Sequence, residues 1–501
     1  MPFSPCHKRA RPHPKMAPQN TLPPEIQLCI LTWLMEPDNS SNGSRTHLSL
    51  CACVCKHWQL IVEQRTFRHF ILHPSDIQDF AGLARPYRRG YIKHIVLEIP
   101  IEDADDRRPH NHALNIDENN VVFTQAARNL WEVLSAWRNH RLTVELGIVS
   151  SFEMGMDHDD YRNIRASYAN FLKQGFSEPA SPDPHLEHLK RFEDVPTDIS
   201  WLDVWNWQKW RFLGTTPLDF DFGRHLSGED QSARNLPKVQ AIACLLIRRR
   251  YFRNISAKAL SQIFKAAPCL EVIHLERWCY GRRRDDKKWD IDSALLGHEL
   301  PPSLKQFSFY EEFSTAYHQQ PRKMTIPRLN RRLLKAMIKT SRHLEHISIS
   351  FAIDARDFFL PNPQLDGGVL ITIALTSDTL VSHSSAAVNE LLENIAEAAK
   401  KMPKLKVLEI WYCKTGEAGI FRYEKSDRSG NMTWLGTWSF DISKQVKQAW
   451  HEVFANPDGG LYGLDIKVIS LPPEEIASVG SVVPYLKLKK HILHDVSWTQ
   501  V

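Results

Sequence analysis

The sequence predicts an α/β chain. It comprises a short all-helical unit near the N-terminus, a long irregular array of parallel strands with flanking helices, and a final α+β cap. Three observations carry this expectation. Residues 21–72 place apolar side chains at helical spacing around a polar break. A short apolar signature, L-x-x-[LIVF]-x-[LIVF], then recurs along the chain, several times after an amphipathic helix and a turn. Beyond residue 411 the pattern changes to aromatic-rich segments that suit antiparallel strands.

Composition narrows the function classes. Of 501 residues, 43 % are hydrophobic, 10 % aromatic and 24 % charged. That excludes a disordered chain, a collagen-like fibre and a long coiled coil. Against 63 Lys and Arg stand 58 Asp and Glu, a net charge of +5, which argues against a nucleic-acid partner. The nine cysteines are scattered and form no disulfide framework. No signal peptide is evident, and apolar stretches such as Val369–Leu375 fall far short of the roughly 18 residues of a membrane helix. The chain is expected to be soluble and intracellular, cytoplasmic and/or nuclear, with no membrane partner.

Residues 1–20 read as a disordered basic tail, with Pro2, Pro5, Pro12, Pro14 and Pro18 against a regular helix. A first helix follows. Thr21 suits its cap, Pro23 and Pro24 its first turn, and Glu25 the positive end of its dipole. Ile26, Ile30 and Leu34, with Leu31 beside them, form its apolar stripe. Pro37 to Ser44 break it. A second helix is expected to carry Leu50, Val54, Trp58 and Ile61 on one face, and a short third element carries Phe67, Phe70, Ile71 and Leu72. A unit of this size buries little surface alone and calls for a neighbour or a partner.

The segment LPPEIQLCILTWL (22–34) with LSLCACVCKHWQLIVEQRTFRHFIL (48–72) resembles an F-box. Leu22, Pro23 and Glu25 supply the L-P-x-E opening. Val54, Cys55, Lys56 and Trp58 supply V-C-[KR]-x-W, and Phe67 stands where a Trp is common. The polar insertion from Pro37 to His47 is longer than usual, and falls in a loop. The resemblance places an F-box at residues 21–72. It implies a substrate-recognition adaptor of a Skp–cullin–F-box ubiquitin ligase, without catalytic residues of its own. The box would bind a Skp-type adaptor and, through it, cullin and RING subunits. The C-terminal region would hold a protein target. Leu22, Pro23, Glu25, Ile26, Ile30, Leu31, Leu34, Leu50, Val54, Cys55 and Trp58 are then box core or adaptor contact.

From residue 73 to 411 the strand signature recurs at Ile92–Leu97, Val239–Cys244, Leu270–Leu275, Leu304–Phe309, Leu344–Ile349 and Leu405–Ile410. Amphipathic helices at Ala257–Ala267, Leu329–Lys339 and Val388–Met402 lead into three of them. The region resembles an irregular leucine-rich-repeat array. From Ile242 the intervals to Ile273, Phe307, Ile347 and Leu408 are 31, 34, 40 and 61 residues, longer than a regular repeat. An ordinary α/β domain is the alternative. Residues 151–235 and 350–385 show little repeat pattern. Residues 412–501 read as a cap, with strands around Tyr423 and Trp434 and a helix from Ile442 to Phe454. The whole is similar to large filamentous-fungal F-box proteins.

Candidate chemistry is sparse. Cys51, Cys53 and Cys55 lack the second ligand pair of a zinc site. The pairs His185/His188, His343/His346 and His491/His494 lack the H-E-x-x-H context. No metal, cofactor or enzymatic activity is expected, although residues that meet only in space leave an enzyme within 73–501 as an alternative, beside an F-box scaffold outside a ligase. Two basic runs, Arg248, Arg249, Arg250 and Arg282, Arg283, Arg284, follow predicted strands. They read as solvated loops, or as a patch for an acidic or phosphorylated target segment. Trp205 and Trp207, within the cluster Trp201–Trp210, read as packing of an insertion or as target anchors.

Overall fold

The computed structural model describes residues 23–34, 50–102, 112–138, 140–150, 216–222, 235–249, 251, 253–279, 283–312, 329–360, 365, 367–426, 429–454 and 463–500. The chain forms two compact units, Met1–Phe67 and Arg68–Val501.

The first unit contains α1 (Pro24–Leu34), α2 (50–54) and α3 (Lys56–Thr66). Pro24 opens α1 and Glu25 lies in its first turn, as the sequence predicts. The single second helix does not form. Cys55 is extended (φ −161°, ψ 167°), and its Sγ accepts the Trp58 N–H at 3.5 Å, so α3 starts afresh behind it. The break redistributes the expected face. Leu50 and Val54 are 63 % and 62 % exposed, while Leu31, Cys51 and Val62 form the buried centre, with Ala52, Trp58 and Ile61 against it.

The second unit runs β1 (His69–Leu72), α4 (Ile77–Leu83), α5 (Pro86–Arg89), β2 (His94–Ile101), α6 (His112–Ser135), β3 (Leu142–Ser150) and β4 (Ile242–Ile247). There follow α7 (Ala257–Ala266), β5 (Val272–Trp278), α8 (Arg283–Asp292), α9 (Ala294–His298), β6 (Gln306–Glu312), α10 (Arg331–Thr340) and β7 (His346–Ser350). Then come α11 (Ala355–Phe359), β8 (Thr372–Thr376), α12 (Ser385–Ala399), β9 (Val407–Lys414), β10 (Glu417–Lys425) and β11 (Ser429–Gly436). Last are α13 (Lys444–Phe454), β12 (Gly463–Ser470), α14 (Val479–Val482) and α15 (Lys489–Ile492). The helices begin where polar residues can take up free N–H groups: Ser256 caps α7, Asn330 caps α10 and Ser384 caps α12.

The twelve strands among the described residues form one sheet in chain order. β1 to β9 are parallel neighbours, the arrangement that strand–helix–strand repeats generate. β10 pairs antiparallel with β9 and β11, and β12 returns parallel to β11. Gly416 (φ 76°) supplies the left-handed residue of the β9–β10 turn.

Four strands lie outside the sequence expectation, among them β12, which the cap reading did not include and which runs parallel, not antiparallel, to β11. β1 falls within the predicted box span 21–72 but belongs to the sheet of the second unit. β3 lacks the leading Leu of the signature. β8 lies in the stretch 350–385 that shows little repeat pattern, and it divides the 61-residue interval: Ile347 pairs with Ile373, and Ile373 with Leu408. All five of its residues, TIALT, are buried, so it carries no alternation to read. The predicted cap boundary after residue 411 falls inside β9, because the sheet continues through it.

The two faces of the sheet differ in chemistry. One ladder runs Ile95, Val144, Leu245, Ile273, Phe307, Ile347, Ile373, Leu408 and Tyr423 across β2 to β10. This apolar face carries the helices: Trp289 of α8 stacks on Phe309, and Trp450 of α13 lies against Tyr423. The adjacent ladder, on the opposite face, runs Glu145, Leu246, His274, Ser308, Ser348, Ala374, Glu409 and Arg422. A mostly polar face that is nevertheless buried needs hydrogen-bond partners across it.

Candidate functional site

Two surfaces stand out, one in each unit. On the helical unit, Ile26 and Leu28 of α1, Leu50 and Val54 of α2 and Leu60 of α3 are exposed large apolar side chains. Five in so small a unit exceed the scattered apolar residues of an ordinary surface. They are exposed because the core takes Leu31, Cys51 and Val62 instead. Pro23, Glu25 and Cys55 are also exposed, and Ile30 and Trp58 are half-buried. Leu22 lies outside the described residues. Leu34 ends α1.

In the second unit the polar sheet face is covered by the chain's own C-terminal segment, residues 471–500. Three buried carboxylates anchor the network. Glu409 on β9 accepts the backbone N–H groups of Lys487 (2.9 Å) and Leu488 (2.6 Å), and Arg422 Nε at 2.6 Å. The Arg422 guanidinium also reaches the Tyr485 carbonyl. Glu276 on β5 accepts the backbone N–H of His494 (2.7 Å), the Ser497 hydroxyl (2.5 Å) and the Arg249 N–H (2.9 Å). The His274 ring completes that set at 2.9 Å. Glu145 on β3 accepts Arg248 Nε at 2.7 Å and the His94 ring at 3.1 Å.

Burial by itself would raise the Glu145 and Glu276 carboxyls. At Glu145 the Arg248 charge and His94 outweigh it and hold the group well below the usual carboxylate range. At Glu276, burial is outweighed by His274 together with the N–H and hydroxyl donors, which hold it at about 2. Both groups therefore stay ionised. The histidines of the covering segment go the other way. Burial, and then the neighbouring His346 and His274, lower His491 to about 4. Burial, and then Arg248 and His274, lower His494 to about 3. His491 stacks on His346 with ring centroids 5.0 Å apart, and His494 lies edge-on to His274 at 6.1 Å. With His491 and His494 held neutral, these like-residue contacts carry no charge repulsion. Among the described residues, no group of three or more His, Cys, Asp or Glu side chains could hold a metal ion.

The candidate basic patch changes meaning. Arg248 and Arg249 are 0 % and 3 % exposed. Arg248 neutralises Glu145, and Arg249 lies over the Trp278 ring at 4.9 Å. They are interior partners of carboxylates and aromatics, not a solvated recognition loop. Arg250 and Arg282 lie outside the described residues, as do Trp205 and Trp207. Arg283 and Arg284 open α8. Sequence reasoning missed Glu145, Glu276 and Glu409. Each follows an apolar residue inside a strand (Val144-Glu145, Leu275-Glu276, Leu408-Glu409), and that recurrence was the available signal.

Comparison with known families fits this division. Residues 299–494, from before β6 through α15, match a family of unknown function (DUF6546). No curated protein matches the chain. Residues 19–73, which enclose α1 to α3 with their exposed apolar surface, match the F-box-like family, and the chain carries an F-box-like domain there.

Proposed function

We propose that this chain is a substrate-recognition subunit of a Skp–cullin–F-box ubiquitin ligase. Ile26, Leu28, Leu50, Val54 and Leu60 dock on a Skp-type adaptor, which brings the cullin and RING subunits. The unit of residues 68–501 holds the target protein. The observation that carries this reading is the exposure of those five apolar residues on an F-box-like domain. The chain then acts by proximity, raising the effective concentration of target beside the transferred ubiquitin. It supplies binding, not bond-making groups.

The test is co-purification of the full chain with Skp adaptor and cullin. Leu50→Asp with Val54→Asp removes apolar contact at positions whose exposure spares the fold. Loss of adaptor and cullin together supports the ligase reading. Adaptor binding without cullin points to a scaffold outside a ligase. Equal adaptor recovery by wild type and variant sinks the docking surface.

A further inference from the structure

β12 closes the sheet, and among the described residues no strand pairs with its outer edge. Its register with β11 runs unbroken from Gly463 to Ser470 without a bulge, and the strand contains no proline. Val468 and Ile469 are exposed, and Leu464 and Ile466 are half-buried. Solvent-facing edges are normally blunted by bulges, prolines or charges, Lys above all; this one has no bulge and no proline, and its two charges, Asp465 and Lys467, are of opposite sign. Alternation puts Leu464, Ile466 and Val468 on the helix-covered face, in register with Gly430, Met432 and Trp434. It puts Asp465 and Lys467 together on the other, 3.0 Å apart.

The run Leu464-Asp465-Ile466-Lys467-Val468 complements its own reverse. We propose that β12 pairs antiparallel with β12 of a second copy of this chain, centred on Ile466, so that a two-fold axis joins two sheets into one. In that register Asp465 of each copy faces Lys467 of the other. Leu464 faces Val468, and Ile466 faces its symmetry mate. Opposite charges then lie directly across on one face and apolar pairs on the other, both favourable cross-strand arrangements. Neighbouring registers that keep the faces aligned fail. Centring on Asp465 opposes two carboxylates, and centring on Lys467 opposes two ammonium groups. The interface is isologous, so it closes at the dimer.

The test is sedimentation velocity of the full chain over a range of micromolar concentrations, with circular dichroism as the check on folding. Wild type is expected to be dimeric. Asp465→Lys alone and Lys467→Asp alone each weaken association about tenfold or more. The double exchange Asp465→Lys with Lys467→Asp restores it, which a generally disruptive substitution would not do. Val468→Lys, a second exposed position, also weakens it. A monomeric wild type at every concentration overturns the proposal. So does a dimer indifferent to both single reversals, or one that the double exchange fails to restore.

Discussion

His494 donates its backbone N–H to the Glu276 carboxylate at 2.7 Å, across 218 positions of sequence. The bond fixes the end of the chain against the middle of the sheet. Glu276 can lie buried and ionised only because donors from both β5 and the C-terminal segment converge on it. The segment and the polar face are therefore one cooperative structure.

Replacing Glu276 by Gln tests that dependence. The amide keeps the shape but presents an N–H₂ group where a donor now points at oxygen. Left unpaired in a buried site, those donors cost about 2–3 kcal/mol. Urea denaturation should show this loss, and limited proteolysis should cut within 486–500 sooner than in wild type. An unchanged cleavage pattern would mean the segment is held by its apolar residues alone.

Acidification should loosen the same segment. His491 and His494 titrate near their ordinary value when unfolded and at about 4 and about 3 when folded. The unfolded state thus binds more protons below about pH 6.5, and stability falls as pH drops from there toward the folded values. Each histidine contributes on the order of 1 kcal/mol per pH unit in that window. His274, His346 and Arg248 repel the protonated rings, and Glu145 and Glu276 attract only His494, so the sign is set by burial and the cations. Protection factors at residues 486–497, which allow for the slower intrinsic exchange in acid, should be lower at pH 5 than at pH 7. Substituting both His491 and His494 by Gln should flatten the difference.

In the helical unit, core and surface should separate cleanly. Leu31 is fully buried against Cys51 and Val62. Leu31→Ala should cost about 2–4 kcal/mol through lost burial and the cavity left behind, enough to unfold so small a unit. Thermal melting of the full chain, free of adaptor, would read it. Leu50→Ala, at an exposed position, should leave the melting point within experimental scatter.

Gly430 on β11 faces the Phe454 ring of α13 so closely that an added Cβ would overlap it. The ring is also packed on Tyr423, so it cannot swing aside freely. Gly430→Ala should destabilise by about 1–3 kcal/mol. A denaturation midpoint equal to wild type would show that α13 can shift outward.

Local chemistry was legible wherever a few neighbouring residues decide the outcome. The L-P-x-E and V-C-K-x-W runs mark the F-box because its short helices carry their own caps and spacing. The α7, α10, α12 and α13 helices and most strands follow from apolar period, because burial on one face imposes that period. β8 stayed hidden because a strand buried on both faces has no alternation. The break at Cys55 stayed hidden because the helical period runs through it unbroken.

The pair of unlike units and the parallel grammar of the second follow from the residues alone, since both rest on short-range patterning. Tertiary structure alone decided that Arg248 and Arg249 turn inward, that Glu145, Glu276 and Glu409 form a buried row, and that residues 471–500 cover it. A charged side chain written in sequence carries no sign of whether water or a distant partner will solvate it. Here the counter-groups and backbone donors come from strands and a terminal segment far away in the chain, and only folding brings them within hydrogen-bond reach.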